Sequence, residues 1–132
     1  MGGGTNHRIS LSAEGLIKDN HIVASGGIAA AFKALKDKFP GRPIEVEVDS
    51  LEQLSQAVAA GAQLILLDNM NPDMCKAAVA QVGGKAKLEA SGGITLENAK
   101  AYADSGVDYL AIGALTHSAP ALDIALDFRK GR

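Results

Sequence analysis

The stretch IEVEVDSLEQLSQAVAAGAQLILLDN, residues 44–69, reads as a strand, a helix and a second strand in immediate succession. Ile44, Val46 and Val48 alternate with Glu45, Glu47 and Asp49, the period of a strand that turns apolar groups to one side and carboxylates to the other. Ser50 followed three residues later by Gln53 is a capping box, after which Leu51, Leu54 and Val58 recur at helical spacing until Gly61. The run LILLD at 64–68 then ends in a carboxylate. Such a unit is a βαβ crossover, with parallel strands and a right-handed connection.

The same pattern repeats on both sides. Residues 26–38 carry Ile28, Phe32 and Leu35 at helical spacing, with Phe39 continuing the series until Pro40-Gly41 stops it. Residues 71–82 open with Asn71-Pro72, which sets Pro in the first turn, where its missing N–H is not needed. A last helix is expected over 95–105, from Thr95 to the stop at Gly106. Strands are expected at about 15–18, 44–48, 64–68, 86–90 and 108–112. The fold class is therefore α/β: a partial (β/α) barrel of about five parallel strands with covering helices. Five strands fall short of the eight that close such a barrel, and leave an open arc.

Composition bounds the function. A chain of 132 residues is one domain at most, and 47% apolar with 21% charged residues suits a globular fold rather than a disordered tail. With no Trp, two Tyr and three Phe, the core must rest on Ala, Leu, Ile and Val, as in sheets covered by helices. A net charge of −2 without a basic run excludes a nucleic-acid footprint. The single cysteine, Cys75, has no internal disulfide partner and lies among Ala and Val as a core residue. No apolar stretch is long enough for a membrane span, so the chain reads as cytoplasmic.

Strand faces point to the chemistry. If the apolar face of 44–48 packs on helices, Glu45 and Glu47 point into the barrel, as do Lys87, Glu89 and Ser91 of the matching strand. Lys87 is expected to neutralise Glu45 or Glu89 low in the barrel, a structural role. Glu47 and Asp68 stand nearer the C-terminal strand ends, where barrel chemistry collects. Around the first strand, GGGTNHR at 2–8 and LIKDNH at 16–21 bring together His7, Arg8 and Lys18, the layout of an anion-substrate site. A Lys that ends an apolar strand is drawn inward when an anion meets it there. Ser91-Gly92-Gly93 closes a strand ahead of a helix, with Gly113 in an equivalent place one strand later, and paired glycine strand ends of this kind suit a phosphate.

Other polar residues have plainer readings. His7 and Arg8, taken without any relative, are equally polar loop residues. His21 reads as a loop or strand-end residue held by hydrogen bonds rather than a catalyst, and His117 as a surface or phosphate-loop neighbour. The three histidines lie far apart with no partner at ligand spacing, which argues against zinc.

Taken together, GGGTNHR, LIKDNH, IEVEVD, LILLDN, LEASGGIT at 88–95 and YLAIGAL at 109–115 resemble the catalytic barrel of the quinolinate phosphoribosyltransferases, the carboxylating nicotinate-nucleotide diphosphorylases. The resemblance runs from Gly2 to about Phe128 and implies a type II phosphoribosyltransferase-like barrel. It implies that His7, Arg8 and Lys18 face the dicarboxylate quinolinate. Glu47 and Asp68 correspond to the acids that hold the ribose hydroxyls and the magnesium-bound pyrophosphate of phosphoribosyl pyrophosphate. Ser91, Gly92, Gly93 and Gly113 correspond to the cradle of the 5-phosphate. The pyridine nitrogen would attack the anomeric carbon as pyrophosphate leaves, and carbon dioxide would then be lost to give nicotinate mononucleotide, a step of NAD biosynthesis. Lys18, Glu47 and Asp68 are the expected catalytic set.

The match covers the later half of that enzyme. An N-terminal α/β domain, an early barrel strand with an Arg-Lys pair and a homodimeric partner complete the family's site, so this chain alone is expected to be inactive. Residues 1–120 are expected to form the incomplete barrel, and ALDIALDF within 121–132 a strand that in the family returns to the N-terminal domain. Two other readings are a non-catalytic phosphate-binding half-barrel and a paralogue tied to molybdenum transport. NHR and IKDNH speak against the second, since they belong to the dicarboxylate-handling version.

Overall fold

The computed structural model describes residues 15–113, in which strands and helices alternate. The elements are β1 (Gly15–Ile17), α1 (Asp19–Ser25), α2 (Ile28–Lys38), β2 (Ile44–Val48), α3 (Leu51–Ala60), β3 (Leu64–Asp68), α4 (Pro72–Val82), β4 (Lys87–Ser91), α5 (Ala99–Asp104) and β5 (Tyr109–Leu110). All strand pairs are parallel and the sheet order is β1-β2-β3-β4-β5. Right-handed crossovers that always step the same way lay every helix on one face, whereas a doubly wound sheet reverses direction and covers both. The result is the open arc of a partial (β/α) barrel.

Register settles which face is which. Val46, Ile65 and Leu88 stand side by side on β2, β3 and β4, as do Val48, Leu67 and Ala90, and all six are buried. Against them the helices set Ile28 and Phe32, Leu54 and Ala57, Cys75 and Ala78, and Tyr102. The opposite face carries Glu47, Leu66 and Glu89 in one row. Glu45 and Glu89 are buried on that face, 1% and 8% exposed, so the inward carboxylates expected from alternation are present.

Local signals account for the helix ends. Ser50 Oγ accepts the Gln53 N–H at 3.4 Å, while Gln53 Oε1 accepts the N–H of Asp49 at 3.1 Å, so the reciprocal arm of the capping box reaches one residue further out. Asn71 Oδ1 accepts the Met74 N–H at 2.9 Å and Pro72 fills the first turn of α4. Cys75 is buried on α4, and burial pushes its thiol upward, consistent with an inert core residue. Among the described residues no helix is long and apolar enough to cross a membrane.

Four expectations need correction. An additional helix, α1, begins directly after Lys18, whose own N–H is accepted by His21 Nδ1 at 3.1 Å. His21 is thus held by a hydrogen bond, but in the first turn of a helix rather than in a loop or at a strand end. The last helix starts at Ala99 instead of Thr95, because Asn98 Oδ1 takes the Thr95 N–H at 2.8 Å and holds 95–98 as a turn. Lys87 neutralises neither Glu45 nor Glu89. Its exposed amine reaches Asp108 Oδ1 at 2.6 Å, at the foot of the next strand, where neither charge has to leave water completely. Strands β4 and β5 are also shifted or shorter than expected, at 87–91 and 109–110. The proposed boundary at residue 120, the strand within 121–132, and His7, Arg8 and His117 lie outside the described residues.

Candidate functional site

Parallel strands bring all their C-terminal ends to one edge, and that is where the sequence's polar signals meet. Lys18 follows β1, Glu47 lies one residue from the end of β2, Asp68 ends β3, Ser91 ends β4, and Gly113 lies just beyond β5. Asp68 and Ser91 are direct neighbours in register. The cavity at the opposite edge, lined by Gln63, Lys85, Lys87 and Asp108 over Val79 and Leu88, gathers none of them.

The acid–base pair of the site is Lys18 with Glu47. The ammonium stands 3.4 Å from Glu47 Oε2, with the lysine side chain 53% exposed and the glutamate 15%. Lys18 is therefore turned over the sheet edge toward the Glu47 carboxylate. Glu47 is held above the ordinary glutamate range. Burial is the main cause, opposed by the charge of Lys18, with repulsion from Asp68 and Asp19 adding to the rise. Negative charge thus accumulates along the edge from Asp19 through Glu47 to Asp68, while the Lys18 amine sits at the solvent side. Such an edge suits hydroxyl donors and a cation.

Beside the carboxylates lies the glycine loop. Gly92 and Gly93 both have positive φ, 92° and 61°, a conformation that only glycine takes easily. At Gly92 a side chain is also excluded by contact, since an added Cβ would overlap the Asn69 side chain and lie 3.0 Å from Asn69 Cα. Ile94, 4% exposed, anchors the loop in the core. Asn98 braces it from the far side, with Nδ2 donating to Gly93 O at 3.0 Å. A loop whose backbone is open on one side and fixed on the other can admit a phosphate close to its N–H groups.

Two residues of this edge had not been singled out from the sequence, Asn69 and Asn98. Asn69 has φ of 52°, and its N–H donates to Ser91 O at 2.9 Å while its Nδ2 donates to Asp68 Oδ2 at 3.0 Å. The only available signal was chemical: Asn is the side chain best suited to left-handed backbone and to local hydrogen bonds after a strand. Asp19, an electrostatic neighbour of Glu47, sits in the same kind of Asp-Asn pair. Among the described residues no group of three or more His, Cys, Asp or Glu is arranged to hold a metal ion by itself.

Residues 1–127 match the model of a protein family described as quinolinate phosphoribosyl transferase, C-terminal domain. The chain is 52% identical over 130 residues to a carboxylating nicotinate-nucleotide pyrophosphorylase of Mycobacterium leprae, covering 96% of this chain and 46% of that protein. It is 46% identical over 127 residues to a probable enzyme of the same name from Bacillus subtilis, covering 96% of this chain and 44% of that protein. A solved nicotinate-nucleotide pyrophosphorylase from Francisella tularensis superposes with a TM-score of 0.84 at 44% identity, over 87% of this chain and 41% of that one. The chain thus spans a little under half the length of the relatives it matches.

Proposed function

Because the chain belongs to the quinolinate phosphoribosyltransferase family, matching its C-terminal domain, we propose that it supplies the phosphoribosyl pyrophosphate half of a site that makes nicotinate mononucleotide. The observation that carries this reading is the meeting of Lys18–Glu47, Asp68 and the Ser91–Gly93 loop at one sheet edge. Ser91, Gly92, Gly93 and Gly113 take the 5-phosphate. Glu47 and Asp68 take the ribose hydroxyls, and their charge stabilises the cationic ribose of the transition state. Lys18, with His7 and Arg8, orients the two carboxylates of quinolinate, for which the planar fork of Arg is suited.

In the reaction the pyridine nitrogen donates its lone pair to the anomeric carbon, and the bond to pyrophosphate breaks with its electrons. The ring then carries a positive charge and accepts the pair released when its adjacent carboxylate leaves as carbon dioxide. A proton replaces it on the ring carbon. Magnesium would enter with the pyrophosphate and neutralise its charge, which fits residues that offer two neighbouring carboxylates instead of a full ligand cage. Holding both substrates in attack geometry is worth roughly 7–11 kcal/mol, and the dicarboxylate clamp includes residues of the family enzyme that this chain does not span. The active form is a homodimer in the cytoplasm, its site completed by the N-terminal α/β domain, and residues 121–132 pair with that domain.

Titration of the chain with ribose 5-phosphate, followed by amide NMR, tests the reading. Ser91, Gly92, Gly93 and Gly113 should shift first. Uniform change along the chain would reject the site. The chain alone should show no measurable turnover, and adding the N-terminal part of a family member in trans should restore it.

A further inference from the structure

Asn69 lies between the two ends of the proposed ribose phosphate site and touches both. Its amide donates to Asp68 Oδ2 at 3.0 Å, which leaves Oδ1 of that carboxylate to meet a ligand. Its backbone N–H donates to Ser91 O at 2.9 Å, and its side chain packs against Gly92 so closely that no Cβ fits there. It is also the one non-glycine residue with positive φ among the described residues. A glycine would hold that backbone with less strain, so the amide is the part of Asn69 that the site uses.

From this we infer that Asn69 is a positioning residue that links the orientation of the Asp68 carboxylate to the shape of the Ser91–Gly93 loop. A sugar phosphate that engages both is then gripped at both ends as one unit, whereas inorganic phosphate engages the loop alone. The link deepens the function proposed above and rests on it for its ligand.

Two variants separate the amide from the backbone. Asn69→Gly keeps the left-handed conformation and removes the side chain. Asn69→Asp keeps the shape and replaces the donor with a charge beside Asp68. Both should keep a wild-type melting profile to within a few degrees, and both should lose about tenfold in affinity for ribose 5-phosphate while affinity for inorganic phosphate changes less than about threefold. A general loosening of the loop would lower the two affinities together and would overturn the proposal. A ligand-free readout stands beside this one: Asp68→Ala should shift the Gly92 and Gly93 amides in the wild type but not in the Asn69→Gly background. Loop amides indifferent to Asp68→Ala would overturn the link whatever the chain binds. Coupled amides with no ribose 5-phosphate binding by the wild type would support the link and reject the ligand.

Discussion

The ammonium of Lys18 reaches Glu47 across the edge of β1 and β2, yet it does not bring the glutamate down to an ordinary carboxylate. Nζ and Oε2 are 3.4 Å apart, but the lysine is mostly in water and the glutamate is not. Burial of the acid is the largest influence; the Lys18 charge, partly screened by solvent, opposes it but does not overcome it once repulsion from Asp68 and Asp19 is added. The balance is therefore set against the charged form of Glu47, as expected of a group kept for ligand contact rather than for stability.

Replacing Glu47 with Gln should stabilise the chain and weaken it as a binder. The folded-state pKa is raised above the ordinary value of 4.5, so the native state holds the proton more tightly than the unfolded one. Stability then falls as pH rises from about that value through the raised one, and Glu47→Gln removes the fall. At pH 7 the variant should gain less than about 1 kcal/mol, the range for one partly exposed charge. Below pH 4 the two proteins should melt alike. Urea unfolding at several pH values checks this, with ribose 5-phosphate affinity dropping in the same variant.

Lys18→Met should push the titration of Glu47 further up, since it deletes the cation that favours the charged form. Carboxyl NMR of Glu47 reads it directly. An unchanged or lower midpoint would mean that the ion pair is not populated in solution.

Gly92→Ala should be the most damaging small change at the site. The new methyl group meets the Asn69 side chain and backbone, in a residue held at φ of 92°. Overpacking of this kind typically destabilises by about 1–3 kcal/mol, and the left-handed strain adds to it. Gly93→Ala has the strain without the contact, so it should melt higher than Gly92→Ala.

The alternation in IEVEV was enough to predict strand β2, its helix-facing side and its inward carboxylates, because residue type alternates even where burial does not: Glu45 is as buried as its apolar neighbours. Helix α1 was not legible for the opposite reason. Asp19–Ser25 buries no residue completely, so no apolar stripe announces it, and it is held by the His21 cap and by Gly26. Alternation also assigned Lys87 to the inward face correctly by parity, yet parity does not say which neighbour a long flexible side chain will reach. Residue type and strand position sufficed to place Lys18, Glu47, Asp68 and the two glycines at one edge of the sheet. The site was not legible at Asn69, whose backbone bond to Ser91 exists only once register sets two strand ends side by side, nor at Asn98, whose bonds to Thr95 and Gly93 are local but could be made by an Asn in any turn.

The foot of the sheet should separate stability from binding. Asp108 Oδ2 accepts the N–H of Leu88 at 2.9 Å, taking the place of a strand carbonyl just before β5 begins, and Oδ1 takes the Lys87 amine. Burial alone would raise the Asp108 carboxyl, but the bonds from Lys87 and Leu88 outweigh it and hold it below its ordinary 3.8. Its contribution is thus present above that value and is lost as pH falls through the lowered one. Asp108→Ala strands the N–H of Leu88, a residue only 2% exposed, and should destabilise by about 1–3 kcal/mol. Asp108→Asn keeps an acceptor and should lose less, and Lys87→Ala, at a fully exposed amine, should barely register. Because this edge is opposite the Ser91–Gly93 loop, all three variants should bind ribose 5-phosphate like the wild type under conditions where they are folded. A loss of affinity in folded Asp108→Ala that matches its loss of stability would show instead that the two edges of the sheet do not act separately.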